Sequence, residues 1–114
     1  MTLDPESGEN WFIINLNQKI GHIGIKLYGA LRPIVGQKTI EVDLQPNANA
    51  QDLLDALVAK YPSMQEELLD EQMRLLPHMK MFINGREVVY LEEKFDYILK
   101  STDTIDIFPP VGGG

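Results

Sequence analysis

The residues of this chain with the most chemical potential stand together at its C-terminal end, Phe108-Pro109-Pro110-Val111-Gly112-Gly113-Gly114. Two prolines hold the backbone extended and remove two amide donors, so a sheet ladder is expected to stop there. Three glycines follow, and Gly114 carries the terminal carboxylate. Glycine has no Cβ to crowd a carbonyl under attack, and a glycine thread passes a channel that rejects larger residues. The pattern suits a terminus offered to another protein for activation. The plain alternative is a loose glycine end with no role. The rest of the chain decides between them.

Little else in the sequence offers chemistry. His22 and His78 are far apart and lack a second ligand at metal spacing, so neither is expected to hold a metal or to catalyse. There is no cysteine, which excludes disulfides, thiolate metal sites, a cysteine nucleophile and a persulfide carried on a side chain. Gly112 to Gly114 is not a phosphate loop, since no helix or lysine follows it. Neither a catalytic residue nor a bound cofactor is expected.

With 114 residues, the chain has room for one core. Its 44% apolar and 24% charged content is that of an ordinary globular domain. Seventeen acids against ten bases give a formal charge of −7, which argues against nucleic acid as a partner and for docking onto a basic protein. The N-terminus shows no secretory pattern, and the apolar run Trp11-Phe12-Ile13-Ile14 is too short to span a bilayer. A cytoplasmic location with no membrane partner is the expectation.

Residues 1–10 are polar and read as a frayed leader, while Trp11 to Leu16 has the aromatic and β-branched content of a strand. From His22, Ile23, Ile25 and Leu27 alternate with Gly24, Lys26 and Tyr28, the period of a half-buried strand. Gly29 to Gly36 reads as a connection. Thr39 to Leu44 alternates again. Asn49 is a candidate N-cap with Asp52 in the first turn, and Leu53, Leu54, Leu57, Val58 and Tyr61 recur at helical spacing up to Pro62. Ser63 and Glu66 have capping-box spacing, which predicts a short second helix from Met64 to about Glu71. Asn84-Gly85 between Lys80–Ile83 and Arg86–Val89 is a hairpin signal. Phe95 to Leu99 reads as a turn of helix. Thr104 to Phe108 forms the last strand, with Ile105 and Ile107 on one face and Phe108 on the other. The expected fold class is α+β, a β-grasp sheet with one main helix across it and a second short helix.

Lys26-Leu27-Tyr28-Gly29, Asn84-Gly85-Arg86 and above all Asp103 to Gly113 resemble the ubiquitin-like sulfur carriers of the MoaD/ThiS family. Within that family the chain looks most like the small subunit of molybdopterin synthase. The resemblance covers about residues 22–114, and the terminal motif is its specific part. It divides the chain into an extension at 1–21, a β-grasp domain at 22–108 and a tail at 109–114. Roughly twenty extra N-terminal residues and a third glycine depart from the family pattern.

The resemblance implies a carrier rather than an enzyme. A partner adenylyltransferase of the ubiquitin-activating-like type would join the Gly114 carboxylate to AMP, using ATP. A sulfur donor would then displace AMP and leave a thiocarboxylate. A sulfur acceptor, such as the large subunit of molybdopterin synthase, would receive the sulfur. Gly112 and Gly113 would thread both active sites, Pro109 and Pro110 would stiffen the exit, and Phe108 and Arg86 are candidate partner contacts. Delivery to thiamine, tRNA thiolation or amino-acid sulfur, and conjugation of Gly114 to lysines as a protein modifier, share the same first step. An interaction module with an inert tail is the third reading.

Overall fold

The computed structural model describes residues 21–109. The strand expected over Trp11–Leu16, the frayed leader and the tail residues 110–114 lie outside that range.

Alternation builds the first hairpin. β1 (Gly21–Leu27) and β2 (Thr39–Leu44) pair antiparallel, with Ile23 opposite Val42 and Ile25 opposite Ile40. These side chains are buried on one face, while Lys26, Glu41 and Asp43 stay exposed on the other. On that outer face the cross-strand neighbours His22 and Asp43 meet through Nδ1 and Oδ1. Between the strands, the expected connection contains a 3₁₀ turn over Gly29–Leu31 and a four-residue helix α1 (Arg32–Val35), with Pro33 in its first turn and Gly36 closing it at φ 75°. Buried Leu31 ties this segment to the core.

α2 (Ala50–Lys60) packs across the sheet. Its capping box is complete: the Asn49 side chain accepts from the Asp52 amide at 2.8 Å, and the Asp52 carboxylate accepts from the Asn49 amide at 2.9 Å. Leu53, Leu54 and Leu57 are fully buried against β1 and β2, as the helical stripe requires.

The second helix differs from its expectation at both ends. Pro62–Met64 forms a 3₁₀ turn that already holds Met64 in helical conformation, so Ser63 does not sit at the N-cap and α3 covers only Gln65–Leu68. Leu69 then turns extended (φ −122°, ψ 152°) and bridges Leu75, while Asp70 Oδ1 accepts from the amides of Gln72 and Arg74. A local hairpin has overridden helix continuation. Glu66 and Glu67 are therefore on the helix, and Asp70 and Glu71 are not. The turn expected over Phe95–Leu99 sits one residue earlier, at Lys94–Asp96, because Ile98 is drawn into a bridge with Asn49.

β3 (Lys80–Ile83) and β4 (Arg86–Glu87) enclose the Asn84-Gly85 turn, where φ values of 53° and 83° match a type I′ hairpin. β5 (Ile105–Phe108) lies between β1, parallel to it, and β3, antiparallel. The sheet order is β2-β1-β5-β3-β4. Among the described residues the last strand is thus the middle one. On the outer edge of β2, Lys60 reaches over to donate to the Glu41 carbonyl at 2.6 Å. Among the described residues no helix is long and apolar enough to cross a membrane.

Candidate functional site

The strand pattern dictates what surrounds the start of the tail. In β5, Ile105 and Ile107 face the core, which leaves Asp106 and Phe108 on the outer face. The parallel register sets Leu27 beside Ile107, so the residue that follows β1, Tyr28, comes level with Phe108. Their rings stack at 4.2 Å between centroids and 12° between planes. Phe82 of β3 meets Phe108 edge-on at 5.4 Å. Such geometries contribute about 0.5–1.5 kcal/mol per pair beyond area burial. Phe108 is half-buried against Tyr28, just past the end of β1, and Phe82 of β3.

Polar groups lock this trio. The Tyr28 hydroxyl donates to Asp106 Oδ1 at 2.9 Å. Arg32 lies over the Tyr28 ring, its guanidinium 5.5 Å from the ring centroid and its Nε donating to the Leu27 carbonyl at 2.9 Å. Lys26 and Lys80 flank the aromatic residues, and Lys80 pairs with Glu87 at 3.7 Å. The face carrying the tail root therefore mixes these cations with the carboxylates of Asp106, Glu87, Glu41 and Asp43.

The hydrogen bond to Asp106, then burial and the Asp106 charge, push the Tyr28 hydroxyl above its ordinary pKa, with Arg32 pulling the other way. A raised acid pKa means the folded state holds its proton longer than the unfolded one. The contribution of this bond is complete below about pH 10 and is lost as pH climbs through the folded value. Titration of tyrosinate absorbance should show a late-ionising tyrosine in the wild type that is missing from Tyr28→Phe. Superimposable curves after scaling for three against four tyrosines would refute the bond.

Pro109 continues from this cluster and packs on Gly29. A Cβ at Gly29 would lie 2.8 Å from Pro109 Cγ, so only glycine fits beneath it. Arg86 stands elsewhere. It lies opposite Ile83, which lies opposite Ile105, at the far end of β5 from Phe108. Strand rise and spacing put it about 14 Å from the tail root. Residues 110–114, including Gly112, Gly113 and Gly114, fall outside the described range.

A second cluster engages Asn84 of the Asn-Gly-Arg motif. Asp103, 8% exposed, accepts from the Asn84 amide at 2.8 Å, the Lys100 amide at 2.9 Å and the Tyr97 hydroxyl at 3.2 Å. Asn84 Oδ1 in turn accepts from the Thr104 amide at 2.9 Å. Asn84 and Asp103 therefore join the β3–β4 turn to the entry of β5. Sequence reading found both residues in motifs but assigned no bond between them. No group of histidine and carboxylate residues able to hold a metal occurs among the described residues.

The ThiS family model matches residues 25–114, from the middle of β1 through the terminal glycine. This chain belongs to the ThiS family. Small archaeal modifier protein 3 of Haloferax volcanii is 33% identical over 90 residues, covering 79% of this chain and 96% of the relative. The crystal structure of small archaeal modifier protein 1 from the same organism agrees with a TM-score of 0.72 at 29% identity, over 82% of this chain and all of the other. The putative molybdopterin converting factor subunit 1 of Pyrococcus furiosus agrees with a TM-score of 0.64 at 25% identity, over 80% and 99%. Similarity to ThiS-family carriers and modifiers alike fits a small ubiquitin-like carrier or modifier with a β-grasp fold.

Proposed function

We propose that this ThiS-family chain is a sulfur carrier whose Gly114 carboxylate is activated by a partner enzyme and delivered to an acceptor in molybdopterin assembly. The carboxylate attacks the α-phosphate of ATP, giving an acyl-adenylate and pyrophosphate. A sulfide donor then adds to the acyl carbon and expels AMP, leaving the thiocarboxylate. The observation that carries this reading is the tail root. Phe108 and Pro109 leave the middle strand on a face where an aromatic cluster is rimmed by charges of both signs, Lys26, Arg32 and Lys80 with Asp106 and Glu87. A partner surface with an apolar centre and a polar rim fits that face, and in this reading Phe108 is a partner contact, with Arg86 a more distant one.

A second reading has the same activated glycine attacked by a lysine amine, expelling AMP and forming an isopeptide. The two Haloferax relatives, both called modifier proteins, favour it. Intact-protein mass spectrometry separates the outcomes. Incubation with an adenylyltransferase of the ubiquitin-activating type, ATP and sulfide should add the mass difference of one oxygen replaced by sulfur. Supply of the product to a molybdopterin synthase large subunit should return the original mass. Covalent adducts on lysate proteins, with no sulfur gain, would replace the carrier by the modifier. An unchanged mass across several such enzymes would remove both.

A further inference from the structure

We propose that Tyr28 to Arg32 form a cradle that aims the tail, with Gly29 as the positioning residue that sets its direction. This rests on the reading of Gly114 as the activated terminus. The ladder between β1 and β5 ends at Leu27 and Ile107, and Pro109 has no amide to extend it. Side-chain packing continues where the ladder stops. Asp106 is held by the Tyr28 hydroxyl, Phe108 by the Tyr28 ring, and Pro109 by the bare backbone of Gly29. Arg32 fixes the cradle from behind through the Leu27 carbonyl and the Tyr28 ring.

Gly29 carries two constraints at once. Its φ is +59°, in the left-handed region, and its missing side chain leaves the space that Pro109 fills. A methyl group there meets Pro109 Cγ at 2.8 Å and Cδ at 3.5 Å, so the proline ring must move. Pro109 is the hinge point of everything beyond it. Five residues follow it, a reach of about 17 Å at most, so a 30° change at the root can displace the terminus by as much as about 9 Å. The reacting geometry tolerates far less than that.

An unaimed tail should impair capture more than chemistry, because the threaded glycine is the same once it is in place. If only a tenth of the molecules present the tail correctly, apparent affinity falls about tenfold. Pyrophosphate release by an adenylyltransferase of the ubiquitin-activating type is measured against carrier concentration for the wild type, Gly29→Ala and Pro109→Ala. Gly29→Ala is expected to raise KM about tenfold with kcat within about twofold. Pro109→Ala removes the ring without touching the Gly29 backbone, and should raise KM in the same direction at an unchanged melting temperature. It decides the matter if Gly29→Ala folds poorly. A nuclear Overhauser effect between Gly29 Hα and the Pro109 ring should be seen in the wild type, and Gly29→Ala should show none from its own Hα to that ring.

Wild-type KM in both variants, although the proline ring no longer rests on residue 29, would overturn the aiming role. A wild-type chain that shows the Overhauser effect but yields no pyrophosphate would overturn the activated terminus instead, and the aiming role with it. A merely structural glycine would lower the melting temperature and leave KM alone.

Discussion

Removal of Gly113 and Gly114 is expected to abolish thiocarboxylate formation while leaving the fold untouched. The core comprises residues between Ile23 and Ile107, and the two deleted residues have no side chains to contribute to it. Stability should change by less than about 0.5 kcal/mol, as for other substitutions away from core, caps and networks. Activation is another matter. The shortened chain still ends in a glycine carboxylate, that of Gly112, but it ends about 7 Å short. Misplacing a reacting group by even 1 Å can cost about a hundredfold, so the loss should exceed that. The assay is the mass gain on incubation with adenylyltransferase, ATP and sulfide, with a thermal melt alongside. Sulfur incorporated by the shortened chain at the full-length rate would sink the proposal, because activation would then not depend on how far the terminus reaches.

Asp103→Ala should be among the most damaging single changes away from the hydrophobic core. It strands three donors at once: the Asn84 amide, the Lys100 backbone amide and the Tyr97 hydroxyl. An orphaned buried donor costs about 1–3 kcal/mol, and partial access of water to this site reduces the total to about 3 kcal/mol. For a domain of this size that lowers the melting temperature by roughly 10–20 °C. Urea unfolding should show a lower midpoint at an unchanged slope. Asn84→Ala breaks the same network from the other side, so the double variant should lose much less than the sum of the two single losses. A melting temperature within about 2 °C of wild type would show that the network carries no net stability. The damage would centre on the entry of β5, the strand that positions Phe108 and Pro109.

Most of the β-grasp frame was legible because its signals are local. Ile23, Ile25 and Leu27 alternate with Gly24, Lys26 and Tyr28, and period two admits one reading there. Asn49 with Asp52 announces a helix start, and Asn84-Gly85 a tight hairpin. The misread ends had causes outside their own windows. Ser63 has the spacing of a cap, but Pro62 had already begun a 3₁₀ turn one residue earlier. Leu69 continues a helical pattern, yet its bridge to Leu75 holds it extended. At the tail root, alternation put Phe108 on the face opposite Ile107, which is where it lies. Its partners Tyr28 and Phe82 are brought to it by two strands distant in sequence, and only their register reveals them. The same holds for Arg86, a motif residue whose separation from the tail root is a matter of sheet order.

The position of β5 has a mechanical consequence. A tail drawn into a narrow channel pulls on the strand it grows from, along that strand's own axis. An edge strand peeled sideways would lose its bonds one after another, like a zipper. Held between β1 and β3, β5 instead loads both ladders together, in shear. A pull on the chain's end is thus resisted by two ladders at once rather than by one.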